Sequence, residues 1–283
     1  MGINRFAQSI ITSLFHASLP VSFIASIWAY LSLRAMAWSQ IYPCIGFLFC
    51  NTFLVYNLDK FKDANNLDKL NLPQRSHFFR KYKAPLFILC ILCFLCELYF
   101  LSFFSGATWK FLFLLGLVSF IYFFGLNKIR KFSLVKSLAK PALLGTIWAA
   151  SVILLPLVYS QQVIQSRDWL QFTTLSVLFF INGNLFDYRD KVGDKIHGKA
   201  NLTIYLSDRS LQILLLFLSL LALLLSLIAE QFISLTWISL YLLLFNLAVF
   251  IYPKLRNNHQ ELFYDYYIDS PFLLFPILEV CLQ

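Results

Sequence analysis

Nine long apolar runs constrain this chain more than any other feature. They lie near 9–33, 39–57, 84–105, 107–126, 138–160, 168–186, 208–229, 233–253 and 263–282. Each approaches or exceeds the ~20 residues a helix needs to cross the hydrocarbon core of a bilayer. A helix also satisfies its own backbone polar groups there. The sequence therefore predicts an all-α, polytopic membrane protein. We expect one integral-membrane domain over 1–283, with nine transmembrane helices around a central cavity. Composition agrees, with 59% hydrophobic and 13% charged residues and a mean hydropathy of +0.71. An ordinary soluble domain carries about 25% charged residues. A disordered chain, a secreted disulfide scaffold and a cytosolic enzyme are excluded.

A formal net charge of +9 would suit nucleic acid, but its placement points instead to membrane topology. With the N-terminus cytoplasmic, the inside segments are the N-terminus, 58–83, 127–140, 187–209 and 253–262. They hold all of the 23 Lys and Arg except Arg34, Lys110 and Arg167. Short loops with such a bias orient a polytopic chain. The expected location is the cell membrane, multi-pass, with no nucleic-acid partner. The first run is too long for the apolar core of a signal peptide.

Acid is scarce, and its position is informative. Six of the 14 acidic residues fall in two cytoplasmic loops, 58–83 and 187–207, each following an even-numbered run, and five of the six form two clusters. The first carries Asp59 and Asp63, which share a helical face at i, i+4. The second carries Asp187, Asp190 and Asp194, at i, i+3 and i+7 along one face. Like charges on one face repel, so the arrangement makes sense if cations sit between them. Oxygen-only donors suit a hard ion, with Mg²⁺ the natural candidate. Lys60, Lys62, Arg189, Lys191 and Lys195 are interleaved. They would either pair with the acids in a solvated loop or neutralise a metal-bridged diphosphate.

Polar residues inside apolar runs are costly and deserve a reason. Asn182 and Asn184 precede the second cluster and are expected to face a chamber. Glu97 is expected near the outer end of the third run, where water reaches it. Asp269 either faces the site or satisfies a neighbouring helix. Cys90, Cys93 and Cys96 form C-x-x-C-x-x-C inside an apolar run, which reads as small buried thiols between helices, not a metal site.

Asp187-x-x-Asp190-x-x-x-Asp194, with Gly198 and Thr203 downstream, resembles the second aspartate-rich motif of the UbiA superfamily of intramembrane prenyltransferases. Asp59-Lys60-x-x-Asp63 is similar to the end of that family's first motif, and Asn127-Lys128-Ile129-Arg130 resembles its basic loop. The resemblance covers essentially the whole chain. It implies that Mg²⁺ held by Asp59, Asp63, Asp187, Asp190 and Asp194 grips a prenyl diphosphate. Lys60, Lys128, Arg130 and Arg189 would form the electrostatic clamp, with Asn184 lining the chamber. A lipid-soluble or aromatic acceptor would receive the isoprenyl group. The sequence departs from the family at Val55-Tyr56, where the first motif usually opens with Asn-Asp. Asn51 or Asn57 would then have to supply an amide oxygen.

Three readings remain. They are a prenyltransferase, a terpene-cyclase-like or catalytically degenerate relative, and, from another class, a secondary transporter. A transporter would place ionisable groups along a midplane pathway, whereas these gather at one mouth. An odd number of spans puts the termini on opposite sides. Reporters fused before Met1 and after Gln283 should therefore lie on opposite faces of the membrane, the first one cytoplasmic. A shared face would overturn the nine-span topology.

Overall fold

The computed structural model describes residues 10–34, 36–64, 71–122, 134–196, 198, 201–229, 232–252, 263 and 265–282. Among them the structure is helical, with no strand. Each of the nine apolar runs holds a helix. They fall into two compact units, one formed by Met1–Phe104 with Gln260–Leu273, the other by Ser105–His259 with Leu274–Gln283.

In the first unit, α1 (Ile10–His16) and α2 (Leu19–Leu33) are bent by 69°. Ser18 takes a left-handed conformation (φ 61°), and Pro20 follows in the first turn of α2. Such a break strands carbonyl groups that lipid cannot satisfy. The neighbouring α3 (Trp38–Asp63) supplies the donors. Asn57 Nδ2 donates to the Ala17 carbonyl at 3.1 Å, and Lys60 Nζ donates to those of Phe15 and His16 at 3.3 and 3.0 Å. A short α4 (Pro73–Lys81) leads into α5 (Lys83–Leu101). There the Phe100 ring fills the space over Gly46 of α3. The Trp28 indole donates to the Phe272 carbonyl at 3.1 Å. Most of α5 presents exposed apolar side chains, among them Phe87, Ile88, Leu92 and Leu95.

The second unit contains α6 (Gly106–Phe120), α7 (Leu134–Ala149), α8 (Leu155–Tyr159), α9 (Ser166–Arg189), α10 (Lys191–Ile196) and α11 (Leu202–Tyr205). They are followed by α12 (Asp208–Ala229) and α13 (Ile233–Ile251), and α14 (Ser270–Cys281) begins in the first unit and ends in this one. A π-helical turn at Ala150–Leu154 joins α7 to α8. Pro156 has no N–H, and its ring crowds the carbonyl four residues back, so the ladder lengthens and Leu155 N–H bonds to Ala150 O. A second π-turn, Asp265–Asp269, precedes Pro271 in the same way. Ser219, Ala222, Ser226 and Ala229 are buried along α12. Such small residues allow close helix approach in a membrane, and Asn246 of α13 donates to Ser219 Oγ at 3.1 Å. The buried Glu279 carboxylate accepts from the backbone N–H of Ser234 at 2.9 Å and from its hydroxyl, at the start of α13.

By length and composition, five helices among the described residues are able to cross a membrane, six if the bent pair counts as one. The expected nine is reduced on this measure for physical reasons. α6 has 15 residues and α14 has 12, while α9 carries Arg167, Asp168, Gln171, Asn182 and Asn184 within its length. The two charged loops are also largely helical, holding the last turn of α3 with α4, and α10 with α11. The three cysteines of the third run do not share a buried side. Cys90 is buried, Cys93 half-buried and Cys96 exposed, because six residues rotate a helix by about 240°.

Asn57→Ala removes a donor to the broken turn and leaves the Ala17 carbonyl without it. We expect a loss of about 1–3 kcal/mol, read as a lower melting temperature in detergent. An unchanged melt would show that the break needs no side-chain support.

Candidate functional site

The second aspartate cluster is built where α9 ends. At its far end α9 is fixed by a capping box, in which Gln165 N–H donates to Asp168 Oδ2 at 2.7 Å. At its near end the helix stops at Asp190 (φ −88°, ψ 1°). Asp194 therefore sits on the following helix, α10, and the expected single face for all three aspartates is interrupted. Asp187 and Asp190 remain three apart on the final turn. Negative charge at a helix C-terminus opposes the helix dipole, so this end needs cations.

The cations come from three directions. Arg189 grips its neighbour Asp190 in a two-point pair, Nε–Oδ1 at 2.9 Å and Nη2–Oδ2 at 3.1 Å. Its guanidinium also lies 4.8 Å from the Phe186 ring centroid. Lys140, from α7, lies 3.6 Å from Asp187 Oδ1. Lys191 pairs with Asp208 at 2.8 Å and sits over the Tyr188 ring at 5.5 Å.

Asp194 is buried and accepts from Asn201 Nδ2 at 2.9 Å. Asn201 in turn caps α11. Its Oδ1 accepts from Ile204 N–H at 3.2 Å and from the Thr203 hydroxyl at 2.7 Å. Thr203 also reaches the Asp187 carbonyl at 3.4 Å. Gly198 holds the intervening turn at φ 64°, where a side chain would be strained. The loop thus folds back on the end of α9. Asn184, three residues before Asp187, donates to Phe180 O at 2.8 Å, and its own Oδ1 is buried with no hydrogen-bond partner among the described residues, as is the Tyr205 hydroxyl.

The first cluster, considered within its own unit, is plainer. Asp59 is exposed and Asp63 half-buried at the end of α3. Lys60 and Asn57 serve the break between α1 and α2. Asn51 donates to Glu97 Oε1 at 2.9 Å, so Glu97 is partnered within the protein and not left to water. The two amides expected to stand in for the missing Asn-Asp are thus engaged structurally, although Asn57 Oδ1 is buried with no hydrogen-bond partner among the described residues. Lys128 and Arg130 lie outside the described residues.

The donor chemistry of the second cluster suits Mg²⁺, being three carboxylates and no soft ligand. Each carboxylate is held by a protein partner, and no three His, Cys, Asp or Glu side chains converge as a metal site among the described residues. Both oxygens of Asp190 are taken up by Arg189, whereas Asp187 is approached by Lys140 at Oδ1.

Lys140, Asn201 and Asp208 were not expected as site residues. Lys140 had a signal, since it is a charge inside an apolar run, directly before Pro141. Asn201 and Asp208 had none, because their role depends on how the loop folds back.

No protein-family model matches the chain, and no curated protein matches it. A solved structure of digeranylgeranylglyceryl phosphate synthase in membranes is similar in fold. The TM-score is 0.57 at 15% sequence identity, over 98% of this chain and 100% of that one. The likeness extends over the whole chain and establishes a shared fold.

Asn201→Ala would leave the buried Asp194 carboxylate without its amide donor and α11 without its cap. We expect about 1–3 kcal/mol of destabilisation, measured by thermal unfolding. A neutral result would show that the folded-back loop does not depend on this contact.

Proposed function

We propose that the protein is an intramembrane prenyltransferase that moves an isoprenyl group from a prenyl diphosphate to a lipid-soluble acceptor. The observation that carries this reading is the pairing of a whole-chain fold likeness with an aspartate cluster at the end of α9. The similar protein is a synthase whose named product bears geranylgeranyl chains on a glyceryl phosphate. The cluster here has the carboxylates and cations that a diphosphate requires. We further propose Mg²⁺ dependence, a cytoplasmic mouth and residence in the cell membrane.

In this reading Asp187, Asp190 and Asp194 hold the cation. Bound Mg²⁺ would supply Lewis-acid stabilisation of the departing diphosphate. Arg189 contributes a planar, fully ionised group for phosphate oxygens once released from Asp190. Lys128 and Arg130 join it, as the family resemblance implies. Ionisation breaks the allylic C–O bond, and the bonding pair leaves with the diphosphate. The acceptor then donates an electron pair to that carbon and releases a proton. Asn184, buried on α9, offers an unpartnered amide oxygen near the motif.

In the first unit, Asp59 and Asp63 are proposed as further metal ligands, with Asn51 and Asn57 committed elsewhere. That commitment favours a second reading, a catalytically silent relative that binds prenyl diphosphate without turning it over.

Purified protein would be incubated with radiolabelled prenyl diphosphates, Mg²⁺ and a panel of lipid acceptors, scoring diphosphate release and lipid product. Alanine at Asp187 or Asp190 should lower release by about 100-fold or more, as expected for loss of charge stabilisation in the transition state. Release that survives both substitutions, or needs no divalent metal, would sink the mechanism. Tight binding without release would favour the silent relative.

A further inference from the structure

We propose that Lys140 is a positioning residue of the second aspartate cluster. Its ammonium neutralises Asp187 in the metal-free protein and turns to a diphosphate oxygen when metal takes that carboxylate. The proposal rests on the reading that the cluster accepts a prenyl diphosphate.

The placement of Lys140 is set by backbone, not by a flexible side chain. Helices α7 and α9 cross so closely at Gly145 that a Cβ there would lie 2.5 Å from the Ser176 carbonyl oxygen and 3.1 Å from Phe180 N. Farther along the same antiparallel contact, a Cβ on Gly183 would lie 3.8 Å from Pro141 Cβ. The register thus advances from 145 against 176–180 to 141 against 183. Its next step delivers Lys140 to Asp187, at 3.6 Å. Ser137, one turn earlier on α7, is fully buried, so this end of α7 is anchored.

The contact between Lys140 and Asp187 is the longest ion pair of the cluster. At 3.6 Å it is an ion pair beyond ordinary hydrogen-bond length. The ammonium carries three donors, and its side chain retains about a third of its exposure (34%). Arg189 and Lys191, by contrast, are held at 2.8–3.1 Å by Asp190 and Asp208.

Electrostatics then fixes the direction of the exchange. A divalent cation on Asp187 repels the ammonium, while a diphosphate beside the metal attracts it. Lys140 therefore competes with metal alone and cooperates with metal plus diphosphate. A lysine that only supports the fold would not divide these two effects.

The test uses the full chain in lipid nanodiscs. Mn²⁺ binding without phosphate is followed by the loss of its free-ion spectroscopic signal. Inorganic pyrophosphate binding is followed by calorimetry at saturating Mg²⁺. Lys140→Met should bind Mn²⁺ several-fold tighter and pyrophosphate about tenfold weaker, the size expected for losing one charged hydrogen bond. Lys140→Arg should stay close to wild type for pyrophosphate. Unchanged or weaker Mn²⁺ binding in a folded Lys140→Met protein overturns the proposal.

A second measurement uses the wild-type chain, in case that variant does not fold. Amine labelling of Lys140 should rise with Mg²⁺ alone and fall when pyrophosphate is added. Labelling indifferent to both additions overturns the proposal as well. Wild-type protein that binds neither Mn²⁺ nor pyrophosphate overturns the functional reading itself, and the exchange with it. Binding of both, undisturbed in Lys140→Met, overturns the role of Lys140 alone.

Discussion

A carbonyl or carboxylate facing hydrocarbon has no water to turn to, and much of this structure follows from where the chain finds substitutes. The break between α1 and α2 is the clearest case. Ser18 and Pro20 end one helix and start another at a 69° bend, which takes the carbonyls of His16 and Ala17 out of the helical ladder, while Phe15 O still accepts from Ser18 N–H. Lipid would leave each unsatisfied at a cost of several kcal/mol. Lys60 and Asn57 of α3 supply the missing donors, so α3 and the bent pair fold as one packing unit. The same need explains Asn51 on Glu97, and Glu279 against the start of α13.

The end of α9 poses the charged version of that problem. Two aspartates on the negative end of a helix are held together only if positive charge arrives from outside the helix. Arg189 brings it from the next residue, Lys140 from a different helix. The local pair depends on nothing but sequence neighbours. The distant pair depends on the Gly145 crossing, where any side chain would push α7 and α9 apart. A glycine in the apolar part of α7 thereby helps set the charge balance about two turns away.

Helix positions were legible in the sequence because hydrophobic runs are local, and every predicted run contains a helix. Their competence to cross a membrane was less legible. It depends on where polar residues such as Asn182 and Asn184 fall, and on how far each helix continues before it breaks. The site was legible in part for the same reason. Asp187 and Asp190 could be placed on one face from spacing alone, but spacing carried no sign that α9 stops at Asp190. Nor could it show that Asn201 folds back onto Asp194. The family resemblance implies Lys60 as part of a diphosphate clamp and Asn57 as an amide donor beside Asp59, and the structure shows both bonded to the α1–α2 break. The bend they satisfy lies about forty residues away, and no local pattern connects the two.

For the proposed function, those bonds bear on where diphosphate chemistry should be sought. Val55 and Tyr56 leave the first motif without two of its usual oxygen donors, and the two amides nearest the gap already have structural duties. The second cluster keeps three carboxylates, an arginine at two-point geometry and a lysine 3.6 Å from Asp187. A metal-bridged diphosphate needs both anions for the metal and cations for the remaining phosphate charge. Among the described residues, the second unit holds both kinds against one another at the end of α9, whereas in the first unit Lys60 donates to the carbonyls of the α1–α2 break. In the proposed function the grip on a diphosphate is therefore assigned chiefly to α9 and the helix it crosses.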